Sequence, residues 1–103
     1  MQYHFRVGRG KKLLIDENDT FMTLGFMILD EYGITPDHLF LFEFADGERT
    51  NSACPFGPMH DDLGNISIES KIKDMHLSVG DEMRFVYDFS RDWTRKVKLI
   101  EVQ

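Results

Sequence analysis

The chain has 103 residues and a mass of 12.1 kDa, which is enough for one compact core and too little for two. Apolar residues make up 42% of the sequence and charged residues 29%, a balance that excludes disorder and low-complexity character. The net charge of −6 disfavours a protein that coats duplex nucleic acid. We therefore expect a single domain over residues 1–103.

No feature of the sequence points to a membrane or to an oxidising compartment. No apolar run approaches the roughly 20 residues that span a bilayer. The first residues, Met1 to Phe5, lack the charged and then apolar pattern of a signal peptide. The single cysteine, Cys54, has no second cysteine for an internal disulfide. These features predict a cytoplasmic protein without a membrane partner.

The N-terminal third predicts a β-hairpin followed by one helix. Gln2–Val7 alternates between polar and apolar residues, Gly8-Arg9-Gly10 forms a turn, and Lys12–Ile15 is a second strand. Asp19 or Thr20 is placed to cap a helix that ends at Gly33. Its apolar residues recur at helical spacing: Phe21, Leu24, Ile28 and Tyr32.

The rest of the chain predicts further strands. His38–Phe44 has apolar residues of both parities, which is typical of a strand covered on both sides. Residues 49–64 show no periodicity and predict a long loop. The remaining elements are a short strand Asn65–Glu69, a helical turn within Ile72–Leu77, and strands Met83–Phe89 and Lys96–Val102.

This order of elements indicates an α+β fold with one main helix packed on a four- to five-stranded, mixed but mostly antiparallel sheet. It resembles the β-grasp arrangement of ubiquitin, in which the first and last strands lie side by side. The resemblance implies that Arg6, Lys96 and Lys98 share one exposed sheet face, with His4 and Arg84 nearby. The expected core is Phe5, Leu24, Ile28, Phe40, Phe42, Phe85, Tyr87 and Val97.

A second resemblance covers residues 38–99. It rests on His38-Leu39 with Phe42, Gly80-Asp81 before Phe85, and Tyr87-Asp88-Phe89 followed by Asp92-Trp93. These motifs resemble the Ri-plasmid open-reading-frame-three-like family, small domains of obscure function found on plasmids, on insertion elements and in chromosomes. The sequence departs from the family at Ser90, where glycine is usual. The resemblance implies that His38, Tyr87, Asp88, Asp92 and Trp93 are the family-motif residues.

These motif residues allow two interpretations. Asp88 and Asp92 beside Trp93, with His38, would serve as acid and base, bind a cation or hold a basic peptide group. Alternatively, both carboxylates cap the turn around Ser90 and the indole closes one end of the core. We favour the second interpretation, because aspartate is a common turn former.

The long loop carries Cys54, His60, Asp61 and Asp62, which are zinc ligand types. Their spacing matches no standard zinc pattern, because neither a Cys-x-x-Cys nor a His-x-x-x-His pair occurs. We therefore expect no metal and no cofactor.

The basic residues concentrate near the two ends of the chain. Residues 1–12 contain four bases and no acid, whereas residues 13–70 contain twelve acids and one base. If the end strands pair, Arg6, Arg84, Lys96 and Lys98 form a basic face. The sequence thus predicts a non-catalytic module that binds a protein partner. The family resemblance implies, in addition, an association with plasmid or mobile-element genes.

Two alternatives remain open. One is a small metal-dependent or hydrolytic enzyme that uses Asp88, Asp92 and Trp93. The other is single-stranded nucleic-acid binding on the basic face, in which the aromatic and basic patch Trp93-Thr94-Arg95-Lys96 would stack on a nucleobase, although the acidic total disfavours it. Self-association is a further expectation if Met83–Phe89 is an exposed edge strand.

Overall fold

One helix packs across one face of an antiparallel sheet. The computed structural model describes residues 1–54, 57–58, 64–88 and 93–103. In that part of the chain the helix α1 is Phe21–Glu31, and a 3₁₀ turn covers Ile72–Met75. The strands are β1 (Gln2–Val7), β2 (Lys11–Asp16), β3 (Phe40–Phe44), β4 (Ala53–Cys54), β5 (Gly57–Pro58), β6 (Glu82–Tyr87) and β7 (Trp93–Val102).

The strands lie in the order β2-β1-β7-β6-β3-β4-β5. As expected, β1 and the last strand are neighbours, with Arg6 opposite Lys98 and Val7 opposite Val97. The α+β fold and its single main helix are confirmed, and five strands have five or more residues. The sheet differs from the mixed arrangement we expected in one respect, because every described pair of strands is antiparallel.

Local signals place the ends of α1 where the sequence indicates them. Thr20 has an extended backbone, and its Oγ1 accepts a hydrogen bond from the Thr23 N–H at 3.2 Å. Beyond the last turn, Gly33 adopts φ +68° and donates to the Asp30 carbonyl at 3.0 Å. Glycine suits this position because a side chain disfavours the left-handed region.

The core lies between α1 and the inner face of the sheet. All eight residues expected in the core are buried. Phe42 contacts Phe21 and Phe85 with ring centroids 5.6 and 5.3 Å apart, so the central strand β3 joins helix to sheet. Leu41 points to the other face and is only 4% exposed, which confirms that β3 is covered on both sides.

Three predictions for the second half are wrong. Residues 49–64 are not simply a loop, since β4 pairs with β3 and β5 pairs with β4. Asn65–Glu69 is not a strand, and Ile66 makes one isolated bridge to Thr50. Nor does β6 lie at an edge, because it is paired on both sides by β3 and β7. Self-pairing through β6 is therefore excluded.

The described part of the chain contains no helix of the length and apolarity needed to cross a bilayer.

Candidate functional site

A cavity of about 410 Å³ opens where the segment after α1 meets the end of β6 and the start of β7. We call it the His38 pocket. It is lined by Ile34, Thr35, Asp37, His38, Tyr87, Asp88 and Trp93. Four of the five family-motif residues expected from the sequence are thus brought together, although they lie up to 55 positions apart along the chain. The fifth, Asp92, lies outside the described residues.

The Tyr87 hydroxyl joins two sides of the pocket. It lies 3.0 Å from the Thr35 carbonyl oxygen and 3.0 Å from Asp37 Oδ1, and it accepts the Asp37 backbone N–H at 3.3 Å. Burial, together with the hydrogen bond to the Asp37 carboxylate, raises the pKa of Tyr87 above its ordinary 10.0. The phenol therefore stays protonated at neutral pH and acts as a hydrogen-bond donor.

The His38 imidazole lies between two carboxylates. Its Nε2 atom is 3.5 Å from Asp37 Oδ1 and 3.9 Å from Asp88 Oδ2. The imidazole is about half exposed, whereas the Asp88 side chain is only 11% exposed. The pocket therefore places a solvent-accessible imidazole beside two carboxylates.

Asp88 is held in an uncommon backbone conformation directly after β6. Its φ is +54°, in the left-handed region that aspartate tolerates better than most side chains. Its N–H donates to the Leu39 carbonyl at 3.0 Å, which continues the pairing of β6 with the segment before β3. Such strained positions occur more often at functional sites than elsewhere.

Trp93 forms the base of the pocket and is also part of a cationic cluster. The Arg95 guanidinium lies 4.0 Å from the Trp93 ring centroid and 5.2 Å from that of Tyr32. Lys11 Nζ lies 5.0 Å from the Tyr32 ring on the same side of the sheet. One face of the indole is therefore already covered by Arg95.

This geometry separates residues that are adjacent in the sequence. Side chains alternate along a strand, so Arg95 lies on the helix side of β7 while Lys96 lies on the opposite face. The aromatic and basic patch expected over Trp93–Lys96 is thus divided between two faces. A nucleobase that stacks on the indole would have to use the ring face that Arg95 does not cover.

The face of the sheet away from α1, which we call the outer face, carries the predicted basic residues. Lys12, Arg6 and Lys98 form a row across β2, β1 and β7, since Arg6 is directly opposite both Lys12 and Lys98. Within 4 Å, no ion pair joins any of the three to a residue that the structure describes. We call them the basic row.

The other two predicted basic residues are compensated. Arg84 forms an ion pair of 2.6 Å with Glu43, which also pairs with Arg49 at 2.8 Å. Lys96 lies 3.2 Å from Glu82. The expected face therefore exists, but acids neutralise its Arg84 and Lys96 half. Glu82 is also directly opposite Lys98, so the positive charge of the basic row is least compensated at Lys12 and Arg6.

The metal prediction is only partly open to inspection. In the described ranges no three histidine, cysteine or acidic side chains lie close enough to hold a metal ion. His60, Asp61 and Asp62 lie outside those ranges, and only the backbone of Cys54 is described. The expectation that this loop holds no metal therefore stays a prediction.

Comparison with protein families assigns the chain. The family model described as "Plasmid pRiA4b ORF-3-like protein" matches residues 9–103. The chain belongs to the plasmid pRiA4b ORF-3-like family. This confirms the resemblance seen in the motifs and extends it to β2 and the helix. No curated protein sequence matches the chain.

A solved structure shares the fold of this plasmid pRiA4b ORF-3-like protein. It is the crystal structure of a protein of unknown function from Methanosarcina mazei Go1, with a TM-score of 0.70 and 26% identity. The alignment covers 97% of the present chain and 60% of that one, so this chain spans less than two thirds of the length of its structural neighbour.

The sequence analysis did not assign every residue of the candidate sites in this plasmid pRiA4b ORF-3-like protein. Asp37 is next to His38 and would have been found by taking the acid beside the motif histidine as part of the site. Arg95 was named only as part of the patch after Trp93; because it lies two positions further along the strand, it shares the face of Trp93. Lys12 was assigned to the second strand but to no binding face, and the register opposite Arg6 shows that it belongs to the basic row.

Proposed function

We propose that this domain is a non-catalytic binding module that attracts an acidic segment of a protein partner to the basic row on its outer face. The observation that carries the proposal is the register that sets Arg6 directly opposite Lys12 on one side and Lys98 on the other, three like charges in a row. Like charges directly opposite each other destabilise a sheet, so the domain bears a cost that an acidic ligand would relieve.

The arrangement of the row supports an extended ligand. Neighbouring strands lie about 4.8 Å apart, so the three charged residues span about 10 Å across the sheet. Arg6 and Lys12 are exposed, and Lys98 is partly exposed. Acidic side chains along an extended segment can be spaced over such a distance, and the opposite charges would also speed the encounter. The family name further leads us to propose a partner encoded on a plasmid or mobile element.

The test is an NMR titration of the full chain with a short poly-glutamate peptide. Amide shifts are expected along β1, β2 and β7, and they should weaken as salt is added. The double variant Arg6→Glu with Lys98→Glu should abolish them. A matched control is Lys73→Glu with Lys71→Glu, which changes the total charge equally at exposed positions of and beside the 3₁₀ turn, away from the basic row.

Two results would overturn the proposal. One is binding that persists unchanged in the Arg6→Glu/Lys98→Glu variant. The other is binding to a single-stranded oligonucleotide with no response to poly-glutamate, which would favour the nucleic-acid alternative instead.

A second candidate function is acid–base chemistry in the His38 pocket, favoured by the placement of His38 between Asp37 and Asp88. It predicts turnover of some ester or phosphoester in a substrate panel that disappears in His38→Gln. Absence of turnover across such a panel, or equal turnover by the variant, would count against it.

A further inference from the structure

The strand β2 forms one edge of the sheet and has a defined set of unpaired backbone groups. Gln2 exchanges backbone hydrogen bonds with Gln103, at 2.7 and 2.8 Å, so Gln2 faces β7. Because backbone direction alternates along a strand, Tyr3, Phe5 and Val7 face β2, where their partners are Ile15, Leu13 and Lys11. The backbone groups of Lys12, Leu14 and Asp16 therefore point away from the sheet.

The outward groups are accompanied by an exposed apolar side chain. Leu14 is 50% exposed, and its neighbour across β1 is His4. Among the described strands, β2 pairs with β1 alone. Natural sheets protect such edges with charges, bulges or covering segments, because an open apolar edge is a template for another strand. Here the middle of the edge carries leucine.

The flanking residues are opposite in charge. Lys12 precedes Leu14 by two positions, and Asp16 follows it by two, so all three side chains lie on the outer face. Asp16 is held in place by the Gln2 side-chain amide at 3.0 Å and by the Asn18 N–H at 2.9 Å. Its carbonyl already accepts the Asp19 N–H at 3.0 Å, whereas its own N–H faces outward.

We propose that two copies of the chain associate through β2, pairing antiparallel about a two-fold axis at Leu14. In this register Leu14 lies opposite the second copy's Leu14, and Lys12 lies opposite the second copy's Asp16. Both charge pairs are complementary by symmetry, and the two leucines cover each other. The Asp16 N–H donates to the Lys12 carbonyl of the second copy, and the two Leu14 residues exchange N–H to carbonyl bonds.

Self-complementarity is the reason for choosing a second copy as the occupant. When two copies of Lys12, Leu14 and Asp16 run antiparallel, each base faces an acid and leucine faces leucine. The strand is thus complementary to itself, which is the condition for a closed two-fold interface. The pairing also places the second copy's Asp16 beside Lys12, at one end of the basic row. In the single chain, the residue directly opposite Lys12 is another base, Arg6. The two sheets become one continuous sheet, and their outer faces lie on the same side.

The first test is the oligomeric state of the full chain over a range of concentrations by analytical ultracentrifugation. The wild type is expected to shift from monomer to dimer as its concentration rises. Leu14→Lys should lose the dimer, because it sets two cations against each other at the axis. Val79→Lys is the matched control, since Val79 is a 61% exposed aliphatic side chain away from β2, and it should dimerise like the wild type.

A second test detects the register directly. The Cα atoms of a hydrogen-bonded antiparallel pair lie about 5.5 Å apart, within the range that a disulfide bridges. Leu14→Cys should therefore form a covalent dimer under mild oxidation faster than Val79→Cys, and both variants retain Cys54. A wild type that stays monomeric throughout, a dimer that survives Leu14→Lys, or equal cross-linking of the two cysteine variants would each overturn the proposal.

Discussion

Gly25 in the middle of α1 lies directly against the ring of Phe40, and a Cβ at this position would overlap the ring carbons. The absence of a side chain lets the helix approach β3 closely. This contact places α1, and with it the segment that carries Asp37 and His38, relative to the end of β6. The close approach of one helix to one strand therefore also determines where the His38 pocket forms.

Gly25→Ala is expected to destabilise the domain. Alanine favours an isolated helix over glycine by about 1 kcal/mol, but overpacking a core costs about 1–3 kcal/mol. Because Phe40 is fully buried and has little room to move, the second effect should dominate. Urea denaturation of both proteins measures the difference. Gly10→Ala is the control, since a Cβ there meets nothing within 4 Å, and a Gly25→Ala protein as stable as wild type would contradict the prediction.

Stability should fall at alkaline pH partly because of Tyr87. Its pKa is raised in the folded chain by burial and by the Asp37 hydrogen bond, while the unfolded chain ionises near 10.0. Above that pH the unfolded chain releases this proton first, so the free energy of unfolding decreases as pH rises. Below it, the contribution of Tyr87 is fully present.

Tyr87→Phe removes this dependence and should cost about 1 kcal/mol at neutral pH through the lost hydrogen bond. Urea denaturation at neutral and alkaline pH is the measurement. The difference in the free energy of unfolding between the wild type and Tyr87→Phe is expected to decrease once the pH exceeds 10.0, the ordinary pKa of tyrosine. Parallel curves across the whole range would show that Tyr87 ionises alike in the folded and unfolded chain.

The contact of Arg95 with Trp93 predicts both a stability loss and an optical change. Arg95→Gln removes a cation 4.0 Å from the ring centroid, which should cost about 0.5–2 kcal/mol. Trp93 is the only tryptophan, so its fluorescence reports on this position alone. The emission should shift in Arg95→Gln and stay unchanged in Arg6→Gln on the outer face. Identical spectra for all three proteins would argue against the stacking.

Glu43 compensates two arginines on the outer face, so Glu43→Gln should have two measurable effects. Stability should decrease by up to about 1 kcal/mol at low salt, because Arg84 and Arg49 are each about half exposed, and the loss should shrink at high salt. Binding of poly-glutamate should become tighter, because the face gains free positive charge. Glu48→Gln is the control, because it removes an exposed acid in the turn after β3 and changes the total charge equally. It should not lower the free energy of unfolding as Glu43→Gln does. Weaker peptide binding by Glu43→Gln would contradict the proposed role of the face.

Local patterns sufficed for the hairpin, the helix and the core. The alternation in Gln2–Val7, the Thr20 cap and the apolar spacing of Phe21, Leu24 and Ile28 each depend on neighbours within one element. Such short-range constraints act in the same way whatever the rest of the chain does, so the sequence shows them directly. The motif residues His38, Tyr87, Asp88 and Trp93 were also found before the structure placed them in one pocket.

These local patterns do not predict the order of the strands in the sheet. The aromatic strand β6 has the composition of an apolar edge or of a centre strand, and only its pairing with both β3 and β7 shows that it is internal. The true edge, β2, looked like an ordinary hairpin partner. Order depends on which distant segments meet, and periodicity carries no information about that choice.

The sequence by itself determined the hairpin, the helix, the longer strands with their inward faces, and the concentration of basic residues near the two ends of the chain. Only the tertiary structure decided which charges are free, because pairing across strands brings Glu43 to Arg84 and Glu82 to Lys96 while it leaves Lys12, Arg6 and Lys98 side by side. The physical reason is range: side-chain alternation is a property of neighbouring residues, whereas the energy of a charge depends on whatever lies within a few ångströms in space.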